Sequence, residues 1–337
     1  MKRFAVALVL SVAACSDKRA IPATDSSNLA SVYVSPLEAH LPVDGGKIWY
    51  RVVGNAKAIP AILLHGGPGF ASYYMKPLEA LSADRPVVRY DQLGAGASGT
   101  LTDTTKMTIA HFVAELDSLR SALHYDKVHL IGHSWGTILA LEYYRAHPEH
   151  VASLTLSSPA LDIPEWERHS RELKKTLSDS AQRAIAAGER DKKFETPAYQ
   201  NALGEFYSKY VWLRPDSVNL DSTLKMVNMN IYNYMQGPSE FTIVGTLRKY
   251  DATSYLKNLK VPVLYTVGEF DEANPVTVKK HAAMTPGAKY VVIPNAAHLT
   301  EWDNPSALNA AIRVFLRDVD SQERRSATTA RAAGQQR

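Results

Sequence analysis

The residues with the clearest chemical potential are Gly132-His133-Ser134-Trp135-Gly136, a G-x-S-x-G pentapeptide. It follows the apolar run Val128 to Ile131 and precedes a helical pattern, TILALEYYRAH. In that strand-turn-helix setting the two glycines permit a tight, strained turn that lifts a serine oxygen clear at the head of a helix. Ser134 is therefore the candidate nucleophile. A serine hydroxyl is a weak nucleophile at neutral pH unless a base takes its proton, and that base needs an acid to hold its tautomer.

In such folds the order along the chain is Ser, then Asp or Glu, then His. Of the eleven histidines, His150, His169, His281 and His298 follow the nucleophile's helix. His150 and His169 come too early, and His281 falls in a charged helical stretch. His298 occupies a loop, NAAHLTEWDNP, between the last strand and the last helix, where a base reaches over the sheet edge. Asp271, at the end of VLYTVGEFDEANP, holds the equivalent place one unit earlier, with Glu269 the next acid in line. His65-Gly66-Gly67-Pro68-Gly69 follows the run AILL. Its adjacent glycines let a backbone N–H, Gly67 in preference to Gly66, bind the oxyanion of a tetrahedral intermediate, with the N–H of Trp135 as second donor.

Positioning these groups requires a sheet with loops at one end. Apolar runs of strand length occur at Lys47 to Val53, Ala61 to Leu64, Val87 to Tyr90, Val128 to Ile131, Leu154 to Leu156, Val263 to Val267 and Tyr290 to Ile293. The later ones are continuous and rich in Val, Ile and Leu, as strands buried on both faces of a parallel sheet require. Between them Ile109, Phe112, Val113, Leu116, Leu119 and Leu123 form one helical stripe, and Leu308, Ala311, Ile312, Phe315 and Leu316 another after Asn304-Pro305. The alternation predicts an α/β fold, a mostly parallel sheet with helices on both faces. Residues 162–251 break the rhythm with charged helical stretches and are expected to form an inserted helical cap, splitting the core into 32–161 and 252–320.

The chain has 337 residues, 45% hydrophobic and 21% charged, the composition of a globular protein with a sizeable core. Its net charge of +4 resides at the ends. Lys2 and Arg3 begin the chain, and four arginines against Glu323 close it, leaving the body between them nearly neutral. Nothing in that distribution resembles a nucleic-acid footprint.

Lys2-Arg3 and the eleven-residue apolar run Phe4 to Ala14 read as a signal peptide, too short for a spanning helix. The run ends in Val12-Ala13-Ala14-Cys15, which resembles the lipobox of bacterial lipoproteins, and Cys15 is the single cysteine. Lipidation at Cys15, a tether over 15–31 and export to the periplasmic face of a bacterial membrane are the expectation. An ordinary cleaved signal is the alternative. A lone cysteine forms no intramolecular disulfide. Residues 321–337, almost without large apolar side chains, are expected to be a disordered tail.

Taken together, HGGPG (His65 to Gly69), DQLGAGAS (Asp91 to Ser98), GHSWG (Gly132 to Gly136), GPSEFTIVGT (Gly237 to Thr246), GEFDE (Gly268 to Glu272) and AHLTEWDNP (Ala297 to Pro305) resemble the proline iminopeptidases, serine aminopeptidases of the α/β-hydrolase fold. The resemblance runs from about Val34 to Leu316. It implies Ser134, Asp271 and His298 as the triad, and Glu240 of the cap with Glu272 as holders of the substrate's free α-ammonium. An ammonium buried without a counter-ion costs several kcal/mol, so a reader of free N-termini needs carboxylates there. The chain departs from the family pattern at Ala95 and Ala97, where many members carry cysteine and arginine, and at His133, where many carry glycine.

The reading is a serine aminopeptidase or amidase that acts on short peptides or amino-acid amides through an acyl-enzyme. An esterase or lactonase acting on neutral substrates is the alternative, and a binding protein on a hydrolase scaffold the third. The sequence has no H-E-x-x-H or clustered Cys/His set, so no metal or organic cofactor is expected. The expected partner is the small peptide or amide substrate. Membrane attachment is expected only through lipid at Cys15, and no nucleic-acid partner is expected.

Overall fold

The structure, a computed structural model, describes residues 36–214 and 222–334. The signal-like segment, the tether and Cys15 lie outside the described residues.

Eight strands form one sheet: β1 (Leu37–Val43), β2 (Gly46–Val53), β3 (Ala61–Leu64), β4 (Val87–Asp91), β5 (Val128–His133), β6 (Val151–Ser157), β7 (Val263–Gly268) and β8 (Lys289–Ile293). They lie in the order β1-β2-β4-β3-β5-β6-β7-β8. β1 pairs antiparallel with β2, and β2 with β4. All later pairings are parallel. The four residues of β3 are fully buried, and successive side chains enter opposite layers, Ile62 and Leu64 into one and Ala61 and Leu63 into the other. That is the period of two expected of a strand covered on both faces. β8, at the sheet edge, is largely half-exposed.

Helices α1 (Ile109–Ala122) and α2 (Trp135–Ala146) are among those that cover the sheet. Thr108 starts α1 by accepting the His111 N–H, and Phe112, Leu116 and Leu119 of its stripe are buried. β1 was not expected from the sequence. LEAHLPV alternates polar and apolar residues on a largely exposed edge, so it lacks the continuous apolar run that marks the inner strands.

Between β6 and β7 come α3 (Ile163–Lys174), α4 (Asp179–Asp191), α5 (Pro197–Tyr210) and α6 (Met229–Met235). The two chain crossings at their base pair with each other. Asp162 and Asp251 form an isolated bridge, with Ile163 N–H on the Tyr250 carbonyl at 3.0 Å and Ala252 N–H on that of Leu161 at 2.9 Å. The helical insertion thus leaves and re-enters the core through one narrow neck.

After β7 and β8 the chain adds α7 (Pro275–Met284), the single turn α8 (Thr300–Asp303) and α9 (Pro305–Gly334). The expectation of a disordered tail from residue 321 is corrected here, because α9 runs on to Gly334. Its later part is rich in Ala, Arg, Gln and Glu, good helix formers that extend an existing helix without a new nucleus. It is also tied down. Asp320 takes Arg85 at 2.8 Å and His129 at 3.1 Å, and Glu323 takes Lys127 at 3.1 Å.

Candidate active site

Ser134 stands between β5 and α2 with φ +54°, a conformation that costs a side-chain-bearing residue strain. Its glycine neighbours make the turn possible. A Cβ on Gly132 would come within 2.3 Å of the Gly136 carbonyl oxygen, and one on Gly136 within 2.0 Å of that of Leu64. As the first residue of α2, Trp135 has an N–H with no intrahelical acceptor. That N–H is available beside the serine.

The HGGPG turn follows β3. Gly67 has φ +114°, and a Cβ there would meet the Phe70 nitrogen at 2.7 Å. The Gly66 N–H is spent on the Tyr74 hydroxyl at 2.6 Å, whereas that of Gly67 has no acceptor among the described residues. Of the two glycines, Gly67 is therefore the one with a free donor.

His298 and Asp271 meet across loops that follow β8 and β7. The His298 Nδ1–H donates to Asp271 Oδ1 at 2.8 Å. Asp271 also accepts the N–H groups of Gly268 at 3.1 Å and Ala273 at 2.8 Å. Burial alone would raise the Asp271 carboxyl, but the charge and hydrogen bond of His298 outweigh it and hold the group below the usual range. Burial likewise opposes the imidazolium of His298, and Asp271 reverses that effect and raises it. Glu269 is not in this pair; its carboxylate accepts the N–H of Asn295.

Ser134, His298, Gly67 and Glu240 line one cavity, walled by apolar groups that include Phe70 and Trp212. A wider cleft of about 590 Å³ holds Pro60, Pro86 and Lys127, which precede β3, β4 and β5, so it opens at the other end of the sheet. It contains neither Ser134 nor His298.

Glu240 accepts the Tyr232 hydroxyl at 2.6 Å, and its carboxyl is raised by burial. Glu272 is fully buried, with neither carboxylate oxygen hydrogen-bonded among the described residues. Burial first, then the nearby charges of Glu240 and Asp271, push its carboxyl well above the ordinary range. Glu240 is half-buried, and its charge reaches Glu272, so a positive ligand placed between them would relieve both desolvation and mutual repulsion.

Several residues without an assigned role in the sequence reading complete the site. The Tyr74 hydroxyl, besides accepting Gly66 N–H, donates to His133 Nδ1 at 2.8 Å. His133 Nε2–H then donates to the His298 carbonyl at 2.9 Å. Burial and the neighbouring His298 lower the His133 imidazole to about 3, so it stays neutral in this network. Gln92 receives the Trp135 indole N–H at 2.9 Å and donates to the His65 carbonyl at 3.2 Å, joining the Ser134 turn to the HGGPG turn. The DQLGAGAS motif was the available signal for Gln92. Tyr74 has no comparable signal.

Residues 60–305 match the family described as the alpha/beta hydrolase fold. A proline iminopeptidase of Heyndrickxia coagulans is 38% identical over 293 residues, spanning 84% of this chain and 99% of the relative. One from Flavobacterium johnsoniae is 32% identical, spanning 84% of this chain and 97% of its own. In three dimensions the chain is similar to the crystal structure of a proline iminopeptidase from Mycobacterium smegmatis, with a TM-score of 0.79, 29% identity and coverage of 85% and 100%. The strained serine, the paired His298 and Asp271, and these likenesses over most of its length place the chain in the proline iminopeptidase family of the α/β-hydrolase fold.

Proposed function

We propose that the protein is a serine aminopeptidase that releases an N-terminal residue, proline above all, from short peptides or amino-acid amides. Ser134 Oγ attacks the carbonyl carbon while His298 Nε2 takes its proton. Asp271 holds the Nδ1–H tautomer and stabilises the imidazolium. The N–H groups of Gly67 and Trp135 take the oxyanion. His298 returns the proton to the leaving amine, and water then hydrolyses the acyl-enzyme with His298 again as base. Preference for proline rests on the names of the relatives; the amine requirement rests on this chain's own carboxyls.

The observation that carries the reading is Glu272, buried with both oxygens unpartnered and close in charge to Glu240 beside the Ser134 cavity. A neutral ester gives such a pair nothing to bind, whereas an α-ammonium satisfies it. Hydrolysis of aminoacyl p-nitroanilides, each with and without an N-acetyl block, tests this. Free-amine substrates are expected to be cleaved and blocked ones spared. Equal rates on both would replace the reading with an esterase or general amidase.

The start of the sequence supports a further part of the proposal. Lys2-Arg3, the apolar run and VAAC together suit export and lipid attachment at Cys15. Fractionation of wild-type and Cys15→Ser protein tests it. Wild-type protein found only in the soluble cytoplasm overturns it.

A further inference from the structure

Asp303, the last residue of α8, is 3% exposed and carries a carboxylate that receives three backbone N–H groups. Leu213 donates to both of its oxygens, at 2.9 and 3.0 Å. Arg214 donates to Oδ1 at 3.0 Å. Ala297 donates to Oδ2 at 2.8 Å. The first two donors belong to the segment that leaves the cap helix α5, and the third is the residue before His298. One side chain therefore grips two stretches of chain, at Leu213 and at Ala297, that are far apart in sequence.

The same two stretches are paired directly. His298 N–H donates to the Tyr210 carbonyl at 3.1 Å, and Leu299 N–H to that of Val211 at 2.8 Å. Glu272 N–H, next to the triad aspartate, also donates to Tyr210, at 3.3 Å. Val211 and Trp212, which lie between these contacts, line the Ser134 cavity. The wall that would touch substrate is thus hydrogen-bonded to the loop that carries the base.

We propose that Asp303 is a positioning residue that fastens the cap segment Tyr210 to Arg214 to the His298 loop, so that His298 is aligned with Ser134 only when this cap wall is seated. The proposal rests on the serine-hydrolase chemistry given above. The physical reason is that the carboxylate accepts from three directions, and a buried carboxylate is tolerated only when its lone pairs are met. An amide in its place offers one acceptor oxygen and turns an N–H toward another N–H. A misplacement near 1 Å at a catalytic group costs on the order of a hundredfold in rate.

The test is Asp303→Asn, read in two ways: the rate at which a fluorophosphonate labels Ser134, and kcat and KM on prolyl p-nitroanilide. Labelling needs His298 as base but no recognition of an amine. Labelling and kcat are expected to fall together by roughly tenfold to a hundredfold, with KM changed by less than about threefold. A wild-type labelling rate with only a lowered melting temperature would overturn the proposal and leave Asp303 as a fold-holding group. Arg214→Pro removes one donor while sparing the carboxylate, and Arg214 is exposed. It is expected to slow labelling in the same direction. If Asp303→Asn does not fold, an unchanged labelling rate in Arg214→Pro overturns the proposal. Rapid labelling of wild type with no cleavage of any aminoacyl anilide would sink the aminopeptidase reading instead, and the labelling rates of the variants would still decide the role of Asp303.

Discussion

His133 Nε2 lies 2.9 Å from the main-chain carbonyl oxygen of His298, so the residue before the serine holds the backbone of the base. Its other ring nitrogen accepts from Tyr74, whose oxygen in turn receives the Gly66 N–H. A single hydrogen-bonded line therefore connects the HGGPG turn, the Ser134 turn and the His298 loop. Each member is buried, so a missing partner is felt in full.

Tyr74→Phe leaves the Gly66 N–H and His133 Nδ1 unpaired at once. A stability loss of about 2 to 4 kcal/mol is expected, since each buried polar group left unsatisfied costs about 1 to 3 kcal/mol. Denaturant unfolding of the variant against wild type measures it. A loss below about 1 kcal/mol, less than one orphaned group costs on the scale of about 1 to 3, would show that Gly66 N–H and His133 Nδ1 are not left unpaired.

Asp271→Asn should lower kcat by roughly 10⁴ while leaving the fold intact, because the amide favours the wrong His298 tautomer. Circular dichroism and turnover on prolyl p-nitroanilide check the two halves of that statement. Near-normal turnover would mean that another group orients His298, and Glu269 is a poor substitute because its carboxylate is engaged with Asn295.

Glu272→Gln separates amine recognition from general damage. It removes a charge-assisted contact worth roughly 1.5 to 3 kcal/mol, about a tenfold to hundredfold loss in kcat/KM on free-amine substrates. Neutral esters should be nearly untouched. Glu240→Gln should show the same selectivity, and the double variant should be non-additive because both carboxyls serve one charge. Parallel losses on amine and ester substrates would remove the ammonium site from the account.

Glu301 supplies a pH signature. It is fully buried 3.9 Å from His133, with Oε1 unpartnered, and burial pushes its carboxyl from 4.5 up to about 8. The folded chain keeps this proton up to about pH 8, while the unfolded chain loses it above 4.5. Stability linked to Glu301 is therefore present below 4.5 and is lost as pH rises through 8. His133 acts in the opposite sense: with its imidazole lowered to about 3, it costs stability as pH falls below 6.5. Glu301→Gln should make the slope of stability against pH more positive by about 1.4 kcal/mol per pH unit between about pH 5.5 and 7.5, read from denaturant midpoints. An unchanged slope would show that the Glu301 carboxyl is ionised in the folded protein.

The local features were legible in the sequence because local physics produces them. Gly132 and Gly136 are dictated by the backbone contacts of the Ser134 turn, so the pentapeptide, its strand and its helix could be read together. The continuous apolar runs of β3 and β5 gave away strands buried on both faces. The order of Ser134, Asp271 and His298 along the chain carried the candidate triad. Glu240 and Glu272 became visible only through the family likeness, since nothing in their spacing speaks of a ligand. Tertiary structure alone decided the rest. Tyr74 and His133 are 59 positions apart, and Asp303 and Leu213 are 90 apart. Such contacts depend on which loops the sheet order β5-β6-β7-β8 brings to one end, and no short-range periodicity encodes that order. The continuation of α9 was hidden for a related reason. A polar, Ala-rich stretch resembles a disordered tail until a preceding helix and the anchors at Asp320 and Glu323 supply its nucleus and its tether.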